Sequence, residues 1–97
     1  MRRNEGIWSK EALDDRKQLV RYIAERDLTA AFGQDDRISE AIGLLEKFPL
    51  VGKEGRFHGS RELVIVGTRF IAVYQLEDGR PLILRVIHTS RDWPPKD

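Results

Sequence analysis

Cysteine is absent from this chain of 97 residues. A chain without thiols has no disulfide scaffold, no thiol nucleophile and no thiolate zinc site. Long apolar stretches are also missing, since the longest one, Phe70 to Tyr74, is far shorter than the roughly 20 residues of a membrane span. The basic residues at the start precede no apolar segment, so no secretory signal is predicted. We therefore expect a cytoplasmic protein that makes no membrane contact.

An excess of charge of one sign is equally lacking. The 17 Lys and Arg residues nearly balance the 16 Asp and Glu residues, which leaves a net charge of +1 and no strong field that would attract nucleic acid. The distribution is nevertheless uneven. Residues 9–47 carry seven basic and nine acidic side chains, whereas residues 51–91 carry seven basic and four acidic ones. This division indicates a basic face in the second part of the chain.

The known sequence signatures of cofactor and metal sites do not occur either. The chain has no P-loop, no dinucleotide fingerprint, no metal-ligand cluster and no acyl-transfer nucleophile with a visible base. Its two histidines, His58 and His88, are far apart in the sequence. We expect neither a cofactor nor a metal ion.

Hydrophobic periodicity predicts two helices in the first part of the chain. Residues 3–8 are predicted to be a short extended segment, and Ser9 is expected to cap a helix that runs to about Arg26. Thr29 is predicted to cap a second helix, which ends before Pro49 because proline disfavours helical geometry at the preceding residue. The apolar stripe of this helix consists of Ile38, Ala41, Ile42, Leu45 and Phe48.

The second part of the chain has the pattern of short strands. Three strands are predicted, over residues 63–66, 70–74 and 82–88. Gly67-Thr68 and Asp78-Gly79 are expected to form the hairpin turns between them, and residues 51–56 a glycine-rich connection. The order predicts one α+β domain over residues 1–97, with a short N-terminal strand, an antiparallel helix hairpin packed on a small antiparallel sheet, and a short C-terminal tail.

The last predicted strand carries the most reactive candidate side chain. Strand parity places Leu82, Leu84, Val86 and His88 on one face and Ile83, Arg85 and Ile87 on the other. His88 has the pKa range of a general acid or base. The alternative is a histidine at a strand end that is hydrogen-bonded to the backbone. Tyr74, in an apolar row, is expected to pack in the core.

Basic side chains are the other candidates. Arg61, Arg85 and Arg91 have the planar fork that binds phosphates or an acidic partner. Lys53 and Arg56, in the glycine-rich connection, would add phosphate contacts. For all five the alternative is ordinary surface charge. Histidine and arginine together suit phosphodiester chemistry and protein binding equally.

Several short motifs occur along the chain in a characteristic order. They are Trp8-Ser9, Tyr22-Ile23-Ala24, Phe48-Pro49, the stretch from Gly59 to Leu63, and the closing stretch from Leu84 to Pro94. Together they resemble the RelE/ParE superfamily of bacterial toxins from type II toxin–antitoxin modules. This resemblance implies two helices against a small antiparallel sheet, a cognate antitoxin in a toxin–antitoxin hetero-oligomer, and a role in growth inhibition and plasmid stabilisation.

The resemblance leaves two cellular targets open. RelE-like members are ribosome-dependent mRNA endonucleases, and by analogy His88 would be the acid–base group. The charge-stabilising set would be Arg61, Arg85 and Arg91, and the RNA-binding set Lys53 and Arg56. ParE-like members instead inhibit DNA gyrase without nuclease activity. Because histidine and arginine suffice for RNA cleavage, the sequence favours the nuclease slightly, with gyrase inhibition and an inactive antitoxin-binding relic as alternatives.

Overall fold

Two helices pack against one antiparallel sheet of four strands in the computed structural model, which describes residues 7–56 and 58–90. The elements are α1 (Lys10–Ala24), α2 (Leu28–Lys47), β1 (Lys53–Glu54), β2 (Arg61–Val64), β3 (Phe70–Glu77) and β4 (Arg80–His88). The sheet order is β1-β2-β3-β4, so each strand pairs with its neighbour in sequence. Neither of these helices is long and apolar enough to cross a membrane. The α+β architecture is confirmed.

The start of α1 is fastened to the outer edge of β4. The Ser9 hydroxyl accepts a hydrogen bond from the Ala12 amide and donates one to the Leu84 carbonyl, both at 3.0 Å. Ser9 is thus the predicted cap and also an anchor. Of the predicted N-terminal strand, Trp8 forms a single parallel bridge with Ile83, and residues 3–6 lie outside the described part of the chain. The C-terminal tail, with Arg91, lies outside it as well.

The second helix begins two residues earlier than predicted. Asp27, and not Thr29, is the cap, because its Oδ1 accepts the Ala30 amide at 3.0 Å. The helix ends at Lys47, as Pro49 predicts. Four residues of the predicted stripe are buried, whereas Phe48 is 58% exposed because it already lies beyond the helix.

The two turns of the predicted hairpins differ in length. Asp78 and Gly79 both have positive φ, the backbone of a type I′ turn, so this prediction is confirmed. Gly67 also has positive φ, but the Ile65 amide bonds to the Phe70 carbonyl. Five residues, Ile65 to Arg69, connect β2 and β3, and the Gly67-Thr68 pair is part of a wider loop than the predicted tight turn.

A bulge changes the face parity of the last strand. Val73 pairs with Arg85 but Tyr74 pairs with Ile83, so Leu84 has no partner in β3. Ile83 consequently lies on the helix-facing side of the sheet, which corrects the predicted parity. Beyond the bulge the alternation holds, and Arg85 and His88 lie on opposite faces.

The main core lies between the helices and one face of the sheet. Its fully buried side chains include Ile38, Ile42, Leu45, Tyr74 and Ile83, so the prediction for Tyr74 is confirmed. A smaller apolar cluster, Ile71, Val73 and Ile87, lies on the other face. The connection predicted over residues 51–56 contains a strand, β1, whose Lys53 and Glu54 pair with β2.

Candidate functional site

Arg85 is hydrogen-bonded to helix α1. Its Nε and Nη2 donate to the two carboxylate oxygens of Asp15 at 2.7 and 2.9 Å, and the Val86 amide donates to Asp15 Oδ2 at 2.9 Å. The hydrogen bond to Asp15 raises the pKa of Arg85 above its ordinary value, against the desolvation that lowers it. The guanidinium therefore stays charged and holds α1 to the edge of β4.

Arg61 holds the loop that follows α2. Its Nη1 donates to the Gly52 carbonyl at 2.6 Å and to the Leu50 carbonyl at 3.3 Å. The buried Tyr74 hydroxyl binds the same loop. It accepts a hydrogen bond from the Gly52 amide at 2.9 Å and donates one to the Pro49 carbonyl at 2.8 Å. Arg61 thus completes the backbone hydrogen bonding of a loop at one end of the sheet.

His88 lies at the opposite end of the sheet. Its Nδ1 accepts the Ser90 amide at 3.1 Å and lies 2.7 Å from the Ser90 hydroxyl. Because Nδ1 is the acceptor, the proton of a neutral ring is assigned to Nε2. The Phe70 ring contacts the imidazole edge to face, with centroids 5.5 Å apart. His88 is therefore a histidine at a strand end whose ring is hydrogen-bonded to the backbone.

Lys53 and Arg56 lie beside the far edge of the sheet. Lys53 is exposed on β1, opposite Glu62. Arg56 donates from its amide and approaches with Nε the same Glu62 oxygen, Oε2, at 3.1 and 3.4 Å. The other Glu62 oxygen, Oε1, is buried without a hydrogen-bond partner among the described residues. Arg56 therefore compensates a buried carboxylate of its own chain.

The predicted catalytic side chains are dispersed over the sheet. Arg61 is opposite Tyr74 and His88 is opposite Phe70, a separation along the strands of about 13 Å at the usual rise per residue. Arg85 projects from the other face. Within residues 7–56 and 58–90 no three of these groups meet at one point, and Arg91 falls outside those ranges.

A surface depression at the His88 end brings His88 together with residues that the sequence did not single out as a site. Two adjoining cavities of 560 and 490 Å³ share Tyr22, Phe70 and His88 in their walls, and Arg69 and Gln34 line the second one. We call this depression the Tyr22 groove. Tyr22 is 59% exposed, and the Arg26 guanidinium lies 3.8 Å from the centre of its ring.

The sequence held only a weak signal for this groove. Tyr22 interrupts the polar face of an amphipathic helix, but Gln34 and Arg69 belong to α2 and to a loop far along the chain. Their proximity to Tyr22 arises only from packing. No group of three potential metal ligands occurs in the described ranges.

Comparisons with known proteins identify relatives of the chain. The family model described as "ParE toxin of type II toxin-antitoxin system, parDE" matches residues 7–93. The protein named "Putative toxin Y4kP" of Sinorhizobium fredii (strain NGR234) is 32% identical over 94 residues, which covers 97% of each chain.

A solved structure shares the fold. It is entitled "Chromosomal ParDE TA system from P. aeruginosa", with a TM-score of 0.77 at 19% identity, over 84% of this chain and 90% of that one. The family match over nearly the whole sequence confirms the superfamily resemblance and supports a cognate antitoxin as partner. This chain therefore belongs to the ParE toxins of type II toxin–antitoxin systems.

Proposed function

We propose that this toxin stops growth by binding and inhibiting DNA gyrase, and that it does not cleave RNA. The observation that carries the proposal is the placement of Arg61, Arg85 and His88. Cleavage of a phosphodiester needs the acid, the base and the charge-stabilising groups within hydrogen-bond reach of one reacting centre. Here Arg61 and His88 are at opposite ends of the sheet, and Arg85 is on the other face.

The bonding of the two arginines supports the same proposal. Arg85 uses two donors on Asp15, and Arg61 uses Nη1 on the Gly52 and Leu50 carbonyls. A substrate phosphate would have to displace the Asp15 carboxylate from Arg85, and the contacts of both arginines connect secondary-structure elements. Their role is therefore structural, and removing them would harm folding before it harmed chemistry.

The charge of the chain also favours a protein target. Contact with an RNA backbone depends on several unpaired cations along the strand, whereas the net charge is only +1 and Arg56 pairs with Glu62. Membership of the ParE family adds support, because the ParE-like branch is the one associated with gyrase. We place the toxin, its cognate antitoxin and this target in the cytoplasm.

Induction of the toxin in cells tests the proposal. Radiolabelled thymidine and methionine are followed after induction, while total RNA is mapped for new mRNA ends. We expect DNA synthesis to stop first and mRNA to remain intact. Early arrest of translation with cleaved mRNA would contradict gyrase inhibition, and unimpeded growth would identify an inactive relic.

A matched variant sharpens this experiment. Lys53→Ala removes an exposed cation that the nuclease hypothesis assigns to RNA binding, without disturbing a described hydrogen bond of its side chain. We expect the variant to be as toxic as the wild type. A large loss of toxicity, with the protein still folded, would instead support the RNA contact.

A further inference from the structure

The Tyr22 groove is a concave surface with a mixed lining. Its walls come from α1, the start of α2, the loop between β2 and β3, and the end of β4. Apolar contacts are offered by Tyr22, Ile23 and Phe70, and polar ones by Gln34, His88 and the Gly67 carbonyl. The two cavities, 560 and 490 Å³, have room for a few side chains of a partner.

Positive charge surrounds this groove. Arg69 lines it, and the Arg26 guanidinium lies over the Tyr22 ring. The Arg37 guanidinium lies against Gly67, where an added Cβ would come within 2.9 Å of it. The carboxylate among the lining residues, Asp15, is ion-paired with Arg85. The groove is thus complementary to a segment that carries carboxylates.

The lining distinguishes a protein partner from nucleic acid. Tyr22, Ile23 and Phe70 present apolar surface that a phosphodiester backbone cannot use, whereas aliphatic and aromatic side chains gain free energy there. Interfaces that form and dissociate are more polar than permanent ones. The groove has arginine, glutamine and histidine in or around its walls. It therefore suits a transient partner, such as a cellular target that the toxin binds after release from its antitoxin.

We propose that the Tyr22 groove is the docking site for an acidic segment of DNA gyrase that also carries apolar side chains. The inference rests on the proposed function and deepens it, since it assigns the target contact to named residues. Tyr22 and Phe70 receive the apolar side chains, and Arg69 and Arg26 pair with the carboxylates.

Two substitutions in the groove and two matched controls test this assignment. Tyr22→Ala and Arg69→Glu change exposed groove side chains. Phe32→Ala removes an aromatic side chain that is also exposed, at 64% against 59% for Tyr22. Arg80→Glu repeats the charge reversal at the start of β4. Each purified variant is titrated against gyrase holoenzyme in a supercoiling assay, its folding is checked by thermal unfolding, and its retention of the co-expressed antitoxin is measured by pull-down.

We expect the two groove variants to need about tenfold more toxin for half-inhibition, the effect of losing a central interface side chain. The controls should match the wild type, and all four variants should retain the antitoxin. If wild-type toxin inhibits gyrase and the groove variants inhibit it equally well, the docking assignment is overturned while the proposed function stands.

The remaining outcomes also overturn the assignment. If wild-type toxin leaves gyrase active, both the proposed function and gyrase as occupant fail. If the groove variants lose the antitoxin, the groove is the antitoxin's. If wild-type toxin binds a labelled DNA duplex and only the groove variants lose it, the occupant is nucleic acid.

Discussion

At the scale of single residues, the bonding of each candidate side chain separates structural roles from functional ones. Arg85, a strand residue that the sequence predicts to bind phosphate or an acidic partner, is the clearest case, because it is paired to Asp15 on α1. The sequence identified Arg85 as a candidate but not its contact with Asp15, since 70 positions separate them. Only the packing of α1 along the edge of β4 makes them partners.

The Asp15 pair should be a measurable source of stability. Asp15→Ala leaves Arg85 and the Val86 amide without this acceptor, so we expect a loss of about 2–3 kcal/mol in the free energy of unfolding. Asp35→Ala is the matched control, because the Asp35 carboxylate that pairs with Arg16 is 41% exposed, against 14% for Asp15. It should cost less than about 1 kcal/mol. Equal losses in urea unfolding would contradict the structural role of the Asp15 pair.

The pH dependence of this pair follows from the raised pKa of Arg85. A folded-state pKa above the unfolded one gives stability that is present below the unfolded pKa and is lost as pH rises through the folded one. For arginine this window is strongly alkaline. We therefore expect the Arg85 proton to contribute no pH dependence between about pH 6 and 9. A change with pH in the wild type that is absent in Arg85→Met would contradict this.

A substitution of His88 can distinguish a binding role from a catalytic one. His88→Asn places an amide oxygen where Nδ1 accepts the Ser90 amide but removes the ability to transfer protons. A docking role predicts a loss of gyrase inhibition below about tenfold. A general acid–base role predicts a loss of toxicity by a factor of about 100 or more. Dose–response curves of growth against induced toxin distinguish the two.

At the scale of elements, the helix hairpin and the order of the strands could be predicted because their signals are local. The apolar stripe of α2 and the Asp78-Gly79 turn depend on neighbouring residues only. The bulge at Leu84 could not be predicted from the sequence, because it depends on the register between β3 and β4. The same limit applies to β1, whose two residues gain strand geometry by pairing with β2.

The cap of α2 provides a direct test at this scale. Thr29 was the predicted cap, but the Asp27 carboxylate bonds the Ala30 amide. We expect Asp27→Ala to lower the free energy of unfolding by about 1 kcal/mol. Thr29→Ala should have little effect, because Thr29 lies inside the first turn of the helix. Chemical denaturation of both variants measures these losses. A larger loss for Thr29→Ala than for Asp27→Ala would contradict Asp27 as the cap.

At the scale of the whole molecule, the fold places the loop bound by Arg61 and the Tyr22 groove at different ends of the sheet. The loop after α2 is fastened by Arg61 and Tyr74, whereas the groove forms where α1, α2 and the end of β4 meet. Composition had already indicated a basic second part of the chain. Packing distributes that charge, so that Arg85 and Arg56 pair internally while Arg69 lines the groove.

We expect this toxin to act by binding gyrase and not by cutting RNA. The most direct measurement titrates purified toxin into a gyrase supercoiling reaction and, in parallel, into ribosomes translating a defined mRNA. We predict that supercoiling is lost in proportion to the ratio of toxin to gyrase while the mRNA remains intact. Unimpaired supercoiling together with mRNA cut on the ribosome would contradict gyrase inhibition by this toxin.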